Sequence, residues 1–155
     1  MSDTEIKDLA GEVRLKGDAV NGGKIYARQE LNCSACHTIQ GKGGSVGPDL
    51  SALGTAQPLE FIIGAILYPN REVKEGFVAF EVTTRDGESH QGYILAENGQ
   101  ELTMKDVAIG KEVRLSKKEI ASRVQRGSVM PEGLADTLTR AEFRDLVRYL
   151  SGLGR

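Results

Sequence analysis

The sequence predicts a mainly α fold interrupted by a small antiparallel β module, and three observations predict it. Apolar residues recur at helical spacing in the parts 17–74 and 126–151. Between them, over 75–125, short runs rich in Val, Ile, Thr, Tyr and Phe are punctuated by turn pairs such as Asp86-Gly87. The third is the stretch Cys33-Ser34-Ala35-Cys36-His37, which follows an apparently helical segment. With the β module set aside, the helical parts together have the length of one compact domain.

The pattern C-x-x-C-H reads as a site for covalent attachment of a c-type haem. Thiols three positions apart reach the two vinyl groups of one haem as thioethers. The histidine that follows is then held under the iron and supplies an axial nitrogen. A fixed haem adds a large apolar plate, around which the rest of a lean core is built. Three other readings stand beside this one. A zinc site needs about four ligands, whereas the chain has two Cys and two His, with His90 far from the motif. A redox C-x-x-C usually follows a strand in a βαβ context. A disulfide closing so short a loop constrains the unfolded chain little.

In chain order, residues 1–16 carry mixed charge and read as an N-terminal arm or short helix. Asp18 is an N-cap candidate for a helix running to about Leu31, with Val20, Lys24, Ala27 and Leu31 along one stripe and Ile25 and Tyr26 beside it. Gly22-Gly23 weakens that helix by about 1 kcal/mol per glycine, a cost that suggests close approach of another backbone. Beginning the helix after Gly23 is the alternative. A glycine-rich loop from Gly41 to Leu50 lacks the Walker ending of a phosphate cradle and suits a chain wrapping the edge of a flat ring. Its Pro48 offers a carbonyl to the second ring nitrogen of His37. Pro58 to Tyr68 reads as a helix stopped by Pro69.

Strands are expected at 77–84, through Tyr93-Ile94-Leu95, at Glu101 to Met104, Val107 to Ile109 and Glu112 to Leu115. Turns fall at Asp86-Gly87 and at Glu97-Asn98-Gly99. Ser116 to Glu119 matches a capping box opening a helical turn near Ile120. Thr139 caps a final helix with the stripe Phe143, Leu146, Val147 and Leu150, Tyr149 at its edge.

The chain has 155 residues, 39% hydrophobic, no Trp and a formal net charge of -2. No basic run with interleaved aromatics suggests nucleic acid, and no apolar run is long enough to span a bilayer. Residues Met1 to Leu15 lack the apolar centre of a secretory signal. Haem attachment of this type normally takes place outside the cytoplasm. The expectation is therefore a periplasmic or otherwise extracytoplasmic protein, or a fragment of a larger one, whose export signal was removed.

Among candidates for the opposite axial position, His90 reads as an exposed sheet residue and Met104 as core of the β module. Met1 is terminal. Met130, in a polar loop before Pro131 and the last helix, is the favoured ligand.

Cys33-x-x-Cys36-His37, Gly47-Pro48-x-Leu50, Met130-Pro131 and the Leu146-x-x-Tyr149-Leu150 helix together resemble a class I cytochrome c. More closely, the chain resembles the planctomycete-type haem-binding domain at the C-terminal end of large secreted dehydrogenase-like proteins, in which a β insertion interrupts the fold. The resemblance covers nearly all of 17–151 and leaves out the first 16 residues. It implies one haem c bound through Cys33 and Cys36, His37 as proximal ligand held by the Pro48 carbonyl, and Met130 as distal ligand. The function expected is one-electron transfer, not enzymatic catalysis, with redox protein partners or a fused or partner dehydrogenase. A haem sensor or enzyme with an open distal iron is the alternative. A third reading makes the β module an interaction domain.

Overall fold

Ser2 opens the first helix, α1 (Asp3–Lys16): its hydroxyl accepts from the Glu5 N–H at 3.2 Å while the Glu5 carboxylate accepts from the Ser2 N–H at 2.5 Å. Ile6, Leu9, Ala10 and Val13 recur at helical spacing and are buried. The expected arm is thus a full helix with a packed face. The computed structural model describes residues 1–155, which form two compact units, Met1–Arg71 with Pro131–Arg155 and, separately, Glu72–Met130.

In the first unit Asp18 caps α2 (Ala19–Tyr26), its carboxylate accepting from the Asn21 N–H at 3.1 Å. The helix is shorter than predicted, and a 3-10 turn, Gln29–Leu31, follows it. Its buried face is also rotated from the predicted stripe. Gly22, Ile25 and Tyr26 are buried, whereas Val20 is 74% exposed. The cause is Gly22, where an added Cβ would stand 1.9 Å from the Asp145 carbonyl oxygen. Backbone contact at that point sets the rotation of the helix.

Asp145 lies on α6 (Arg140–Ser151), which Thr139 and Glu142 open with a second capping box. Phe143, Leu146, Val147 and Leu150 form the buried stripe, as expected. The Asp145 carboxylate, also buried, accepts from the Asp18 N–H and from Asn21 Nδ2, both at 2.9 Å. Between α2 and α6 come α3 (Cys33–Cys36), the two-residue strands β1 (Thr38–Ile39) and β2 (Lys42–Gly43), α4 (Leu53–Ala56) and α5 (Leu59–Leu67). Pro58 stands at the N-cap of α5, and Ile62, Ile63 and Ile66 face inward.

The second unit is a five-stranded antiparallel sheet of β3 (Val78–Thr84), β4 (Ser89–Glu97), β5 (Glu101–Asp106), β6 (Lys111–Ser116) and β7 (Ile120–Ser128), in the order β6-β5-β4-β3-β7. Val82, Leu102 and Met104 are fully buried, with Phe80, Ile94, Val113, Leu115 and Ile120 packed around them. Gly87, at φ 92°, makes the expected β3–β4 turn.

Two local expectations fail in this unit. Val107 to Ile109 is a turn rather than a strand, because Asp106 Oδ1 accepts the N–H groups of Ala108 and Ile109 and Gly110 takes a positive φ. Ser116 makes no side-chain cap; a 3-10 turn at Lys117–Glu119 delivers the chain straight into β7.

The expectation of a mainly α protein is overturned. Helix accounts for 37% of the chain and strand for 26%. Strand β7, nine residues long, was hidden by its polar and charged residues, which an edge strand carries on both exposed faces. In the helical unit, much of the chain between α3 and α5 is loop, as wrapping a short motif requires.

Candidate functional site: a thiol pair and an oriented imidazole

The C-x-x-C-H motif is local structure before it is chemistry. Asn32 adopts the left-handed region at φ 57° and turns the chain from the 3-10 segment into α3. Cys33 and Cys36, at i and i+3, then lie on one side of a single helical turn. Both thiols are free and half-buried. Burial pushes the Cys33 thiol up, so it stays protonated at neutral pH.

The glycine-rich loop closes over this turn with backbone. Gly44 N–H donates to the Ser34 carbonyl at 2.9 Å and Gly47 N–H to the Cys36 carbonyl at 2.6 Å. These bonds satisfy carbonyls that a four-residue helix leaves open. An added Cβ at Gly44 would lie 1.8 Å from the Ala35 oxygen, and one at Gly43 would lie 2.2 Å from the His37 oxygen. Glycine is required at both positions by close approach.

His37 is oriented by the same loop. Its Nδ1 lies 2.7 Å from the Pro48 carbonyl oxygen. A carbonyl only accepts, so Nδ1 carries the hydrogen and donates it, which leaves the Nε2 lone pair free. Gly47 borders the ring: a Cβ there would fall 2.6 Å from Cε1 and 3.1 Å from Nε2.

The remaining sequence candidates lie elsewhere. Met130 is half-buried at the end of the second unit, its N–H donating to Ser128 Oγ at 3.2 Å. Met104 is in the sheet core, as expected. His90 is not the exposed sheet residue expected. Its side chain is 16% exposed and Nδ1 lies 2.8 Å from Asp106 Oδ2, so the polar neighbours that suggested exposure are its partners. Sequence reasoning missed Tyr26 as a residue of the site. It is buried against Tyr149, ring centroids 5.6 Å apart, and its hydroxyl oxygen has no hydrogen-bond partner in the protein.

The family model described as Cytochrome c matches residues 19–154. The chain belongs to the cytochrome c family. A search among curated proteins found no match. Cytochromes c bind covalently attached haem c, and the spacing of Cys33 and Cys36 is that of its two attachment thiols. The geometry fits the group: two unpaired thiols share one side of a turn, a ring nitrogen keeps its lone pair, and a buried phenol lacks an acceptor. This cytochrome is accordingly a haem-binding electron-transfer protein, and none of its helices is long and apolar enough to cross a membrane.

Proposed function

We propose that this cytochrome is a one-electron carrier with His37 and Met130 as axial ligands, working outside the cytoplasm with redox protein partners such as a fused or separate dehydrogenase. The observation that carries the reading is the 2.7 Å contact between His37 Nδ1 and the Pro48 oxygen. It fixes the tautomer that leaves Nε2 able to bind iron, and it makes that nitrogen more electron-rich.

Haem c, when bound, supplies a reversible ferric–ferrous couple. Cys33 and Cys36 anchor it against loss in either oxidation state. The loop from Gly41 to Leu50 holds α3 and His37 through backbone bonds, so that little reorganises when an electron arrives. The thioether of Met130, a soft ligand, favours ferrous iron and raises the potential. With both axial positions filled by protein, no substrate reaches the metal. The resemblance to haem-binding domains of secreted dehydrogenase-like proteins supports the placement and the choice of partner.

The test is the visible spectrum of protein matured in a periplasm, oxidised and reduced, with and without carbon monoxide. Wild type should be low-spin and unmoved by the gas. Met130→Ala should bind carbon monoxide when reduced and show a lower potential. An unchanged six-coordinate spectrum and potential in that variant would remove Met130 from the site. Rapid reaction of the wild type with the gas would make it an open-iron sensor or enzyme.

A further inference from the structure

Tyr26 is 8% exposed, and its hydroxyl oxygen is buried with no partner. Folded proteins seldom leave a buried hydroxyl unpaired, so the missing acceptor belongs to what completes the site. Burial drives the phenol's pKa up to about 12, and the Cys33 thiolate adds to that rise, more than Cys36 does. The phenol therefore stays a neutral donor at every physiological pH and sits within electrostatic reach of Cys33.

Cys33 changes its hydrogen-bonding character when it is alkylated. As a thiol it directs its hydrogen towards the Leu31 carbonyl, 4.0 Å from Sγ. Addition of that S–H across a vinyl group forms one S–C bond and moves the thiol hydrogen to the other vinyl carbon, with no oxidant or reductant consumed. The resulting thioether sulfur keeps its lone pairs and has lost its only hydrogen, so it can only accept.

Resting on the haem-attachment reading above, we propose that the Tyr26 hydroxyl donates a hydrogen bond to the thioether sulfur formed at Cys33, making Tyr26 a positioning residue for the covalent linkage. A donor on that sulfur withdraws electron density from the macrocycle edge and favours the reduced state. Tyr149 supplies the control, because it shares the ring pair with Tyr26.

Proton NMR of the matured, reduced and therefore diamagnetic protein tests this. The expected result is a slowly exchanging tyrosine hydroxyl proton with cross-peaks to the Cys33 thioether protons, lost in Tyr26→Phe and kept in Tyr149→Phe. The reduction potential should shift downward in Tyr26→Phe and hold in Tyr149→Phe. A Tyr26 hydroxyl exchanging at the solvent rate, or contacting only groups remote from the linkage, overturns the proposal, as does an unmoved potential. Absence of covalent haem from matured wild type, seen beforehand by mass and a pyridine haemochrome spectrum, would sink the attachment reading itself.

Discussion

At the residue scale, the site depends on groups of zero or fixed size. Gly47 and Pro48 are neighbours with different duties. Gly47 makes room for the imidazole, since a methyl there would stand 2.6 Å from His37 Cε1. Pro48 contributes its carbonyl, which any residue has. Gly47→Ala should therefore tilt the ring or push the loop away, with an overpacking cost of about 1–3 kcal/mol. Pro48→Ala keeps the acceptor and should leave the axial-ligand signature in place. Denaturant unfolding gives the first effect, and ferric EPR g-values report the ring in both variants. Equal disturbance by the two substitutions would mean that the proline ring, not the carbonyl, holds His37.

At the element scale, the helices owe their ends to capping and their rotation to glycine. Thr139 accepts the Glu142 N–H at 3.1 Å, so Thr139→Ala should cost about 1 kcal/mol and leave the haem spectrum alone. Gly22→Ala drives a methyl into the Asp145 backbone at 1.9 Å; with backbone unable to step aside cheaply, about 3 kcal/mol is expected. Chemical denaturation of the two variants measures both. A neutral Gly22→Ala would show that α2 and α6 can separate at that crossing without loss. Much of this was legible in sequence: the Asp18 and Thr139 caps, the α6 stripe and the meaning of Gly22-Gly23 follow from local rules. The face of α2 was not, because a glycine contributes nothing to a hydrophobic pattern yet decides which side meets a neighbour. Strand β7 was missed for a related reason. A strand exposed on both faces, as its sequence of Ser, Arg and Gln residues shows, carries no alternation to read. The cysteines and His37 stand out because spacing along the chain is itself the signal. His90 with Asp106, and Tyr26 with its missing acceptor, are relations between distant residues that only folding brings out.

At the scale of the whole molecule, each unit carries one buried carboxylate inside a set of hydrogen bonds, Asp145 in the first and Asp106 in the second. Burial alone raises the pKa of Asp145, but the Asn21 amide and the Asp18 N–H outweigh it and hold the carboxyl below its ordinary 3.8. For Asp106, burial is likewise outweighed by His90 and by the N–H groups of Ala108 and Ile109. A folded-state pKa below the unfolded value adds stability that is present above the unfolded pKa. That stability is lost as pH falls through the folded one. Asp145→Asn should thus cost about 2 kcal/mol at pH 7, because it removes a charged acceptor from two donors. The gap from wild type should close as pH drops below 3.8. Amide hydrogen exchange at a series of pH values separates the units: α6 amides should lose protection in Asp145→Asn, and β5 amides in Asp106→Asn. Each unit has its own core, and its buried carboxylate joins segments of that unit alone. The two losses should therefore be independent, and the double variant should show their sum. Protection lost in both units from either single substitution would mean that the helical and sheet units unfold as one.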